Sequence, residues 1–313
     1  MKKIITLFLA LTFTASAFAA PAAKKAPAKN SPKIKAEFIV VESAEYAAGK
    51  EDPLLTSGIS QFLNAQPTVT HLTVEQAKED PKLSGLDYSF LPLYLVKKTK
   101  AIREKFEKPL QYGYLQENDD FIILSHQTRQ GVYQNKEAKK GVMELFVMSQ
   151  CPYGVRAENL VIQAKKDGKF PADKTVNVRY IVNYDEKNGF NSLHGSGEWE
   201  ENVRQLLIAK YYPAKFWKYL EIRNKDYRSS RWDKAMEQAG INPKKIMKKF
   251  DKEGLELLKA EAKYAQEFGV SASPTLIWEG KVQVGMDKAA ELEGFEFFNP
   301  GASAGVAAPA GSC

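Results

Sequence analysis

Sulfur and imidazole side chains are scarce in this chain. Among 313 residues there are two cysteines, Cys151 and Cys313, and three histidines. Two cysteines cannot build the disulfide framework of a small stapled domain, and a chain of this length buries enough core to fold without one. The histidines, His71, His126 and His194, are scattered and lack the spacing of metal ligands. We therefore expect no disulfide-rich scaffold and no metal site.

Several motifs that mark other kinds of chemistry are also missing. The sequence has no glycine-rich phosphate loop, no G-x-S-x-G nucleophile motif and no paired-carboxylate motif. Its formal charge of +7 is a mild basic excess without a dense Lys/Arg block, and no RNA- or DNA-binding signature occurs. We expect no cofactor and no nucleic-acid partner.

The chain begins with MKKIITLFLALTFTASAFAA, which has the form of a secretory signal peptide. A basic start precedes a short apolar core, and Ala17 and Ala19 supply the small residues of a cleavage site. The core is too short for a stable membrane span, and no other run is long and apolar enough. We predict that residues 1–19 are removed and that the mature protein is periplasmic or secreted, without membrane attachment. Thiols in such compartments tend to be paired or catalytic.

Composition and apolar periodicity divide the rest of the chain into four segments. Residues 20–35 are rich in Ala, Pro and Lys and predict a flexible linker. Residues 36–135 contain apolar runs typical of strands and predict a first domain. Residues 139–298 predict a second domain, in the order strand, helix, strand, several helices, two strands and a helix. Residues 299–313 predict a flexible Gly/Ala-rich tail that ends in Cys313.

Two short matches relate the two predicted domains. EFIVVESAEYA, from Glu37, matches ELFVMSQCPYG, from Glu144, and this match pairs Ala44 with Cys151. Later in each domain, SFLPLYLV matches SASPTLIW, and in both a proline enters an apolar strand. The matches predict two copies of one fold, of which the first lacks the cysteine.

Cys151 lies between an apolar strand, VMELFVM, and a helix that begins at Pro152. Proline suits the first helical turn, where no backbone donor is missed. At this place the sulfur is expected to face the unpaired amides of the first turn, and these amides and the helix dipole favour the thiolate. The thiolate is the nucleophile of disulfide exchange. Gly154, however, stands where a C-x-x-C motif carries its second thiol.

A second feature of the predicted site is the proline in SASPTLIW. A proline directly before a hairpin strand in this order of elements predicts a cis peptide bond between Ser273 and Pro274. Such a bond would bring the Ser273 backbone beside Cys151 and leave polar groups that can pair with an extended substrate.

Taken together, FVMSQCPYG, the helical stretch and GVSASPTLIWEGKVQVG resemble the thioredoxin-like superfamily in its DsbA-like, helix-inserted form, here with a monothiol CPYG site. The resemblance implies an α/β thioredoxin-like fold with a helical insertion, preceded by a second, degenerate thioredoxin-like domain. It implies that Cys151 is the attacking cysteine. It also implies that the substrate groove is bordered by Pro152, Tyr153, Gly154, Ser273 and Pro274.

The resemblance implies an exported thiol-disulfide oxidoreductase whose partners are protein or small-molecule thiols and disulfides. Because Gly154 replaces the resolving cysteine, two routes stay open. An outside thiol resolves the mixed disulfide on Cys151, or Cys313 does so from a tail whose reach is about 20 Å. The alternative for Cys313 is a tail thiol that is free or paired with another molecule. A non-catalytic peptide-binding or chaperone module and a thiol-dependent peroxidase remain alternatives.

Overall fold

A computed structural model describes residues 34–124 and 130–299. The predicted signal peptide, most of the predicted linker and the tail with Cys313 lie outside these residues. Within them, no helix is long and apolar enough to cross a bilayer. The described chain divides into two compact units. The first comprises the residues up to Lys139 together with Gly280–Val284, and the second comprises Lys140–Glu279 together with the described residues from Gly285 onward.

The elements up to Lys139 are short strands and helices. The strands are β1 (Ile34–Glu42), β2 (Ala65–Thr73), β3 (Phe90–Leu91), β4 (Leu93–Lys97), β5 (Gln116–Glu117), β6 (Phe121–Leu124) and β7 (Gly131–Tyr133). The helices are α1 (Pro53–Leu63), α2 (Val74–Glu79), α3 (Lys100–Lys105) and α4 (Glu107–Gln111). Strand β1 begins two residues ahead of the domain start predicted at residue 36.

The elements from Lys140 onward include a long helical series. The strands are β8 (Val142–Val147), β9 (Thr175–Tyr180), β10 (Asn183–Asp185), β11 (Gly189–Asn191), β12 (Thr275–Trp278) and β13 (Val282–Val284). The helices are α5 (Pro152–Lys166), α6 (Ser196–Tyr211), α7 (Pro213–Arg223), α8 (Trp232–Gln238), α9 (Pro243–Met247), α10 (Leu255–Glu267) and α11 (Met286–Ala289). A π-helical turn, Phe250–Gly254, leads into α10.

The first unit contains a sheet in the order β2-β1-β4-β6-β5. Strands β1 and β2 are parallel and are joined through α1, whereas β4 is antiparallel to β1. Neighbouring residues of β1 enter different cores: Val40 packs with Leu63 of α1, and Val41 packs with Ala77 of α2. Because successive strand residues point to opposite faces, the sheet is covered by helices on both sides. In the same unit, β7 pairs with β3 and with β13.

The second unit repeats this plan with added helices. Strands β8 and β9 are parallel and are joined through α5, and β12 is antiparallel to β8, in the order β12-β8-β9. Helices α6 to α10 lie between β9 and β12 in the chain. This is a thioredoxin-like fold with a helical insertion, and it confirms the predicted fold class.

Helix α5 forms for reasons that are visible in its sequence. Pro152 occupies the first helical position, and Cys151 is the N-cap residue. Leu160 and Val161 are buried. The helix ends at Lys166, and Gly168 follows with φ of 66°, a left-handed conformation that glycine adopts at little cost.

The inserted helices α6 and α7 are joined by a buried polar network centred on Glu201, whose side chain is fully buried. One carboxylate oxygen, Oε1, accepts hydrogen bonds from the Tyr219 hydroxyl at 2.7 Å and from Gln205 at 3.0 Å. The other, Oε2, accepts one from Arg204 Nε at 2.9 Å, and Arg223 Nε lies 3.3 Å from Oε1. A buried carboxylate held by two arginines is compensated in charge, as buried ions must be.

Both units carry a cis-proline at the start of the strand that pairs with the first strand of the unit. The cis bonds are Leu91–Pro92, before β4, and Ser273–Pro274, before β12. The prediction of a cis bond at Pro274 is therefore confirmed. The shared position of the two bonds supports the interpretation that the chain contains two copies of one fold.

The strand registers fix how the two copies correspond. In the first unit, the residue after the cis-proline, Leu93, pairs with Val41. In the second unit, the residue after the cis-proline, Thr275, pairs with Phe146. Val41 and Phe146 are therefore equivalent positions.

This equivalence corrects the sequence match at the cysteine. The residues five positions beyond the paired strand residues are Tyr46 and Cys151, and each is the N-cap of the helical turn that follows. Tyr46, and not Ala44, is thus the counterpart of Cys151. The sequence match slipped by two residues, a shift that keeps every strand side chain on the same face and so leaves the apolar pattern intact.

Candidate functional site

The site is built around Cys151, in the connection between β8 and α5. Cys151 has extended backbone angles, φ −80° and ψ 122°, and its side chain is fully buried. Its sulfur is part of a disulfide bond. Sγ lies 3.5 Å from the carbonyl oxygen of Ser273, the residue in front of cis-Pro274. The expected approach of the Ser273 backbone to the sulfur is therefore present. The other predicted catalytic residue, Cys313, lies outside the described residues.

The environment of the sulfur differs in one respect from the expectation. Cys151 makes no side-chain capping hydrogen bond to the amides of the first turn of α5. The sulfur sits beside a carbonyl oxygen instead. The helix can therefore favour a thiolate here through the field of its N-terminus, which acts without a direct hydrogen bond.

Ser273 secures the turn that carries the cysteine. Its side chain is fully buried, and its Oγ accepts a hydrogen bond from the Met148 amide at 2.9 Å. The Cys151 amide in turn donates to the Met148 carbonyl oxygen at 2.9 Å. One serine thus contributes a carbonyl oxygen beside the sulfur and a hydroxyl that holds the preceding turn.

Gly154 is enclosed by the same residues. A β-carbon at Gly154 would lie 2.5 Å from Ser273 Oγ, 3.2 Å from Val147 Cβ and 3.3 Å from the Met148 carbonyl oxygen. The shortest of these distances is well below any normal contact, so a side chain here requires the serine to move. The space that a resolving cysteine would need is filled by Ser273.

The remaining predicted groove residues surround this centre. Pro152 is exposed, whereas Tyr153 and Pro274 are half-buried and Gly154 is buried. The fold thus brings both predicted segments, 151–154 and 273–274, to one place. Of these residues, Pro152, Tyr153 and Pro274 are open to solvent.

Sequence reasoning assigned no chemistry to Glu198, which the fold places next to the cysteine turn. This carboxylate is fully buried in the first turn of α6. Its Oε2 accepts a hydrogen bond from the Gln150 amide at 3.1 Å and lies 2.6 Å from His194 Nδ1. The Ser149 hydroxyl donates to the Glu198 carbonyl oxygen at 3.1 Å. The only signal in the sequence was the four-residue spacing of His194 and Glu198.

A second buried carboxyl, Glu158, lies on α5 two turns beyond the cysteine. Burial raises its pKa to about 8, against an opposing hydrogen bond from Asn224, and the nearby charge of Glu201 adds to the rise. Asn224 Nδ2 donates to Glu158 Oε2 at 2.8 Å. Glu158 is therefore a neutral acid at pH 7. Its position within an amphipathic helix gave no indication of this state.

The first unit has a cleft at the corresponding end of its sheet. The cleft measures about 470 Å³ and includes Glu42, Glu45, Asp87 and Ser89 in its lining. It lies between the end of β1 and the residues that precede cis-Pro92. None of the described residues that line this cleft is a cysteine.

Metal ligands are not clustered in the part of the chain that the structure describes. Residues 34–124 and 130–299 contain no group of three or more His, Cys, Asp or Glu side chains that could hold a metal ion.

No protein-family model and no curated protein matches the sequence. Solved structures do match. The DsbA disulfide interchange protein of Klebsiella pneumoniae aligns with a TM-score of 0.39 and 15% identity, over 54% of this chain and 88% of that chain. DsbA of Proteus mirabilis aligns with a TM-score of 0.38 and 13% identity, over 56% of this chain and 91% of that chain. Oxidised BdbD of Bacillus subtilis aligns with a TM-score of 0.34 and 18% identity, over 48% of this chain and 83% of that chain. The fold assignment rests on the strand order and the cis-proline of this chain.

Proposed function

We propose that this protein is an exported thiol-disulfide oxidoreductase that acts through Cys151. The observation that carries the proposal is the disulfide-bonded Cys151 at the start of α5, with Sγ 3.5 Å from the Ser273 carbonyl in front of cis-Pro274. A sulfur at a helix N-terminus is placed for ionisation, and the ionised form is the one that exchanges disulfides.

The second sulfur of the cycle is proposed to be Cys313. Cys151 is disulfide-bonded, and Cys313 is the only other cysteine of the chain. A resolving thiol at position 154 is disfavoured by the 2.5 Å approach of Ser273 Oγ. The reactive pair would therefore join a cysteine of the fold to the last residue of the chain.

The proposed exchange proceeds in two steps. A substrate thiolate attacks Cys151 Sγ, the bond to Cys313 breaks, and Cys313 leaves as a thiolate. A second substrate thiolate attacks the substrate sulfur of the mixed disulfide and releases the Cys151 thiolate. Two electrons pass from the substrate dithiol to the protein, and the reverse sequence reduces a substrate disulfide. An external thiol or disulfide returns the protein to its starting state.

Substrates of this site are proposed to be thiols or disulfides of proteins and small molecules. Pro152, Tyr153 and Pro274 present a partly apolar surface around the sulfur. The first unit, with Tyr46 at the position of Cys151, is proposed to take no part in electron transfer.

Two measurements test the proposal. Peptide mapping of the exported protein under non-reducing conditions is expected to show the Cys151 and Cys313 peptides linked. Turnover of a model disulfide is expected to vanish in Cys151→Ser and to fall in Cys313→Ser.

Each alternative predicts a different result. Full turnover by Cys313→Ser would favour resolution by an outside thiol. Absence of turnover in the wild-type protein, with retained peptide binding, would replace the proposal with a binding or chaperone module. Cys151-dependent consumption of a hydroperoxide would replace it with a thiol peroxidase.

A further inference from the structure

We propose that Glu198 and His194 are positioning residues of the sulfur site, which hold the turn before Cys151 and set the fraction of Cys151 that is ionised. This inference deepens the proposed function and rests on it only in taking Cys151 as the reacting sulfur. It assigns a role to the entry of the helical insertion, a part of the chain outside the CPYG segment and the cis-proline loop.

Hydrogen bonds hold the turn before Cys151 in place. Glu198 fixes both residues that precede the nucleophile, since its Oε2 accepts from the Gln150 amide and its carbonyl accepts from the Ser149 hydroxyl. The other end of the turn is held by Ser273 through the Met148 amide. Removal of the Glu198 side chain would leave the buried Gln150 amide without this partner, and a buried donor without a partner destabilises the turn.

The Glu198 charge also acts on the sulfur through space. The Glu198 carboxylate lies 3.1 Å from the amide nitrogen of Gln150, and the covalent path from that nitrogen to the Cys151 sulfur limits the total separation to about 10 Å. Both groups are fully buried, so the negative charge acts on the sulfur with little screening by water. A fixed negative charge at this range opposes formation of the thiolate.

His194 lies where it can compensate the charge of Glu198. His194 Nδ1 lies 2.6 Å from Glu198 Oε2, and the His194 amide donates to Oε1 at 3.4 Å. Arg228 Nη2 lies 3.5 Å from the Gln150 carbonyl oxygen on the other side of the turn. When it carries a second proton, the His194 imidazole offsets the charge of the carboxylate it contacts, so the two residues then act on Cys151 with opposite signs.

The experiment titrates the Cys151 thiolate by its ultraviolet absorbance in the full chain, reduced, with Cys313→Ser as the common background. Glu198→Gln keeps an acceptor for the Gln150 amide and removes the charge. It is expected to raise the thiolate-to-thiol ratio at pH 7 by about three- to tenfold. His194→Asn keeps a donor toward Glu198 and cannot become a cation. It is expected to lower the ratio at pH 6 by about two- to fivefold.

A matched control is His71→Asn in the first unit, where His71 Nδ1 lies 3.2 Å from Glu42 in a similar His–Glu pair. This variant is expected to leave the titration of Cys151 unchanged. Equal shifts in the same direction for Glu198→Gln and His194→Asn would overturn the inference, because loosening of the turn alone would produce that pattern. An unmoved titration in folded variants would also overturn it.

The inference can still be tested if Glu198→Gln does not fold or if the wild-type protein shows no turnover. If Glu198→Gln fails to fold, His194→Asn decides alone, since the half-buried His194 is removed without emptying the space beneath the turn. Failure of the wild-type protein to turn over a disulfide would overturn the proposed function and leave the titration result standing, so the two failures are distinguishable.

Discussion

Gly154 decides, at the scale of a single residue, that this site has one local sulfur. Its α-carbon faces Ser273 Oγ so closely that no β-carbon fits without movement of the serine. The Ser273 hydroxyl is in turn held by the Met148 amide. The absence of a second thiol is therefore built into the packing as well as into the sequence, and replacing one residue is not expected to restore a C-x-x-C cycle.

We predict that Gly154→Cys alone, in a Cys313→Ser background, forms little disulfide with Cys151 under a glutathione redox buffer. The double change with Ser273→Ala is expected to form it, because the atom at 2.5 Å is removed. Peptide mass mapping measures the oxidised fraction. Equal oxidation of the single and double variants would contradict the packing argument.

A stability control accompanies this prediction. Gly154→Ala is expected to lower the free energy of unfolding by about 1–3 kcal/mol through overpacking. Gly58→Ala, in α1, meets no atom within 4 Å and is expected to raise it by up to about 1 kcal/mol. Urea unfolding measures the free energy of unfolding of both variants. It compares a glycine surrounded by close atoms, Gly154, with one that has free space around it, Gly58.

Glu158 makes stability depend on pH. Its folded pKa of about 8 lies above the unfolded value near 4.5, so the folded state retains a proton that the unfolded state has lost between these values. The stability present below about pH 4.5 is therefore lost as the pH rises towards 8. Glu158→Gln removes this pH-dependent contribution to stability.

We predict that Glu158→Gln is more stable than the wild-type protein by roughly 4 kcal/mol at pH 8 and little changed at pH 4.5. Thermal unfolding at a series of pH values measures the difference. The exposed residue Glu256, on α10, provides the control Glu256→Gln at a position where the side chain is open to water. A pH-independent effect of Glu158→Gln would show that the carboxyl is ionised in the folded state.

At the scale of elements, the inserted helices depend on polar groups as well as on apolar faces. Helix α6 buries Glu201, and α7 supplies Tyr219 and Arg223 to the same carboxylate. Burial and the neighbouring charge of Glu201 hold the pKa of Tyr219 well above its usual value. Such a network specifies how the two helices meet, since one buried carboxylate gathers polar groups from both of them.

We predict that Glu201→Ala lowers the free energy of unfolding by about 3–5 kcal/mol, because two buried arginines and a tyrosine lose their common partner. The neighbouring Glu200 is 40% exposed and contacts Arg204 at 3.5 Å, so Glu200→Ala is expected to cost no more than about 1 kcal/mol. Chemical denaturation measures the free energy of unfolding of Glu201→Ala and of Glu200→Ala. Similar losses for the two variants would show that the buried network contributes little.

At the scale of the whole molecule, the chain contains two units with the same β-α-β start and the same cis-proline position. The second alone places a cysteine at the N-cap after its first strand, where the first places Tyr46. The helical insertion also belongs to the second unit alone. Catalytic chemistry and the helices that support it are therefore proposed to be combined in one copy.

Export is also a property of the whole molecule. We predict that the chain recovered from the periplasm or medium of an expressing Gram-negative bacterium lacks residues 1–19, as measured by its intact mass. A bulky residue in place of Ala19 is expected to block removal, because the cleavage site requires small side chains. The matched change Ala22→Leu, beyond the site, is expected to leave removal unaffected. An unprocessed wild-type chain in the exported fraction would contradict the signal-peptide prediction.

The sequence by itself determined the features that depend on neighbours along the chain. The buried run before Cys151, proline at the first helical position and the proline before an apolar strand are local patterns, and each predicted its element and its place in the thioredoxin-like fold. The cis bond at Pro274 and the approach of Ser273 to the sulfur followed from that order.

Tertiary structure decided what depends on contacts between distant residues. Strand register moved the counterpart of Cys151 from Ala44 to Tyr46, because a shift of two residues leaves an apolar pattern unchanged. Packing between α5 and the cis-proline loop explained Gly154, and the inserted helix brought Glu198 to a turn 48 residues earlier in the chain. Such contacts are set by how elements pack, and no local pattern encodes them.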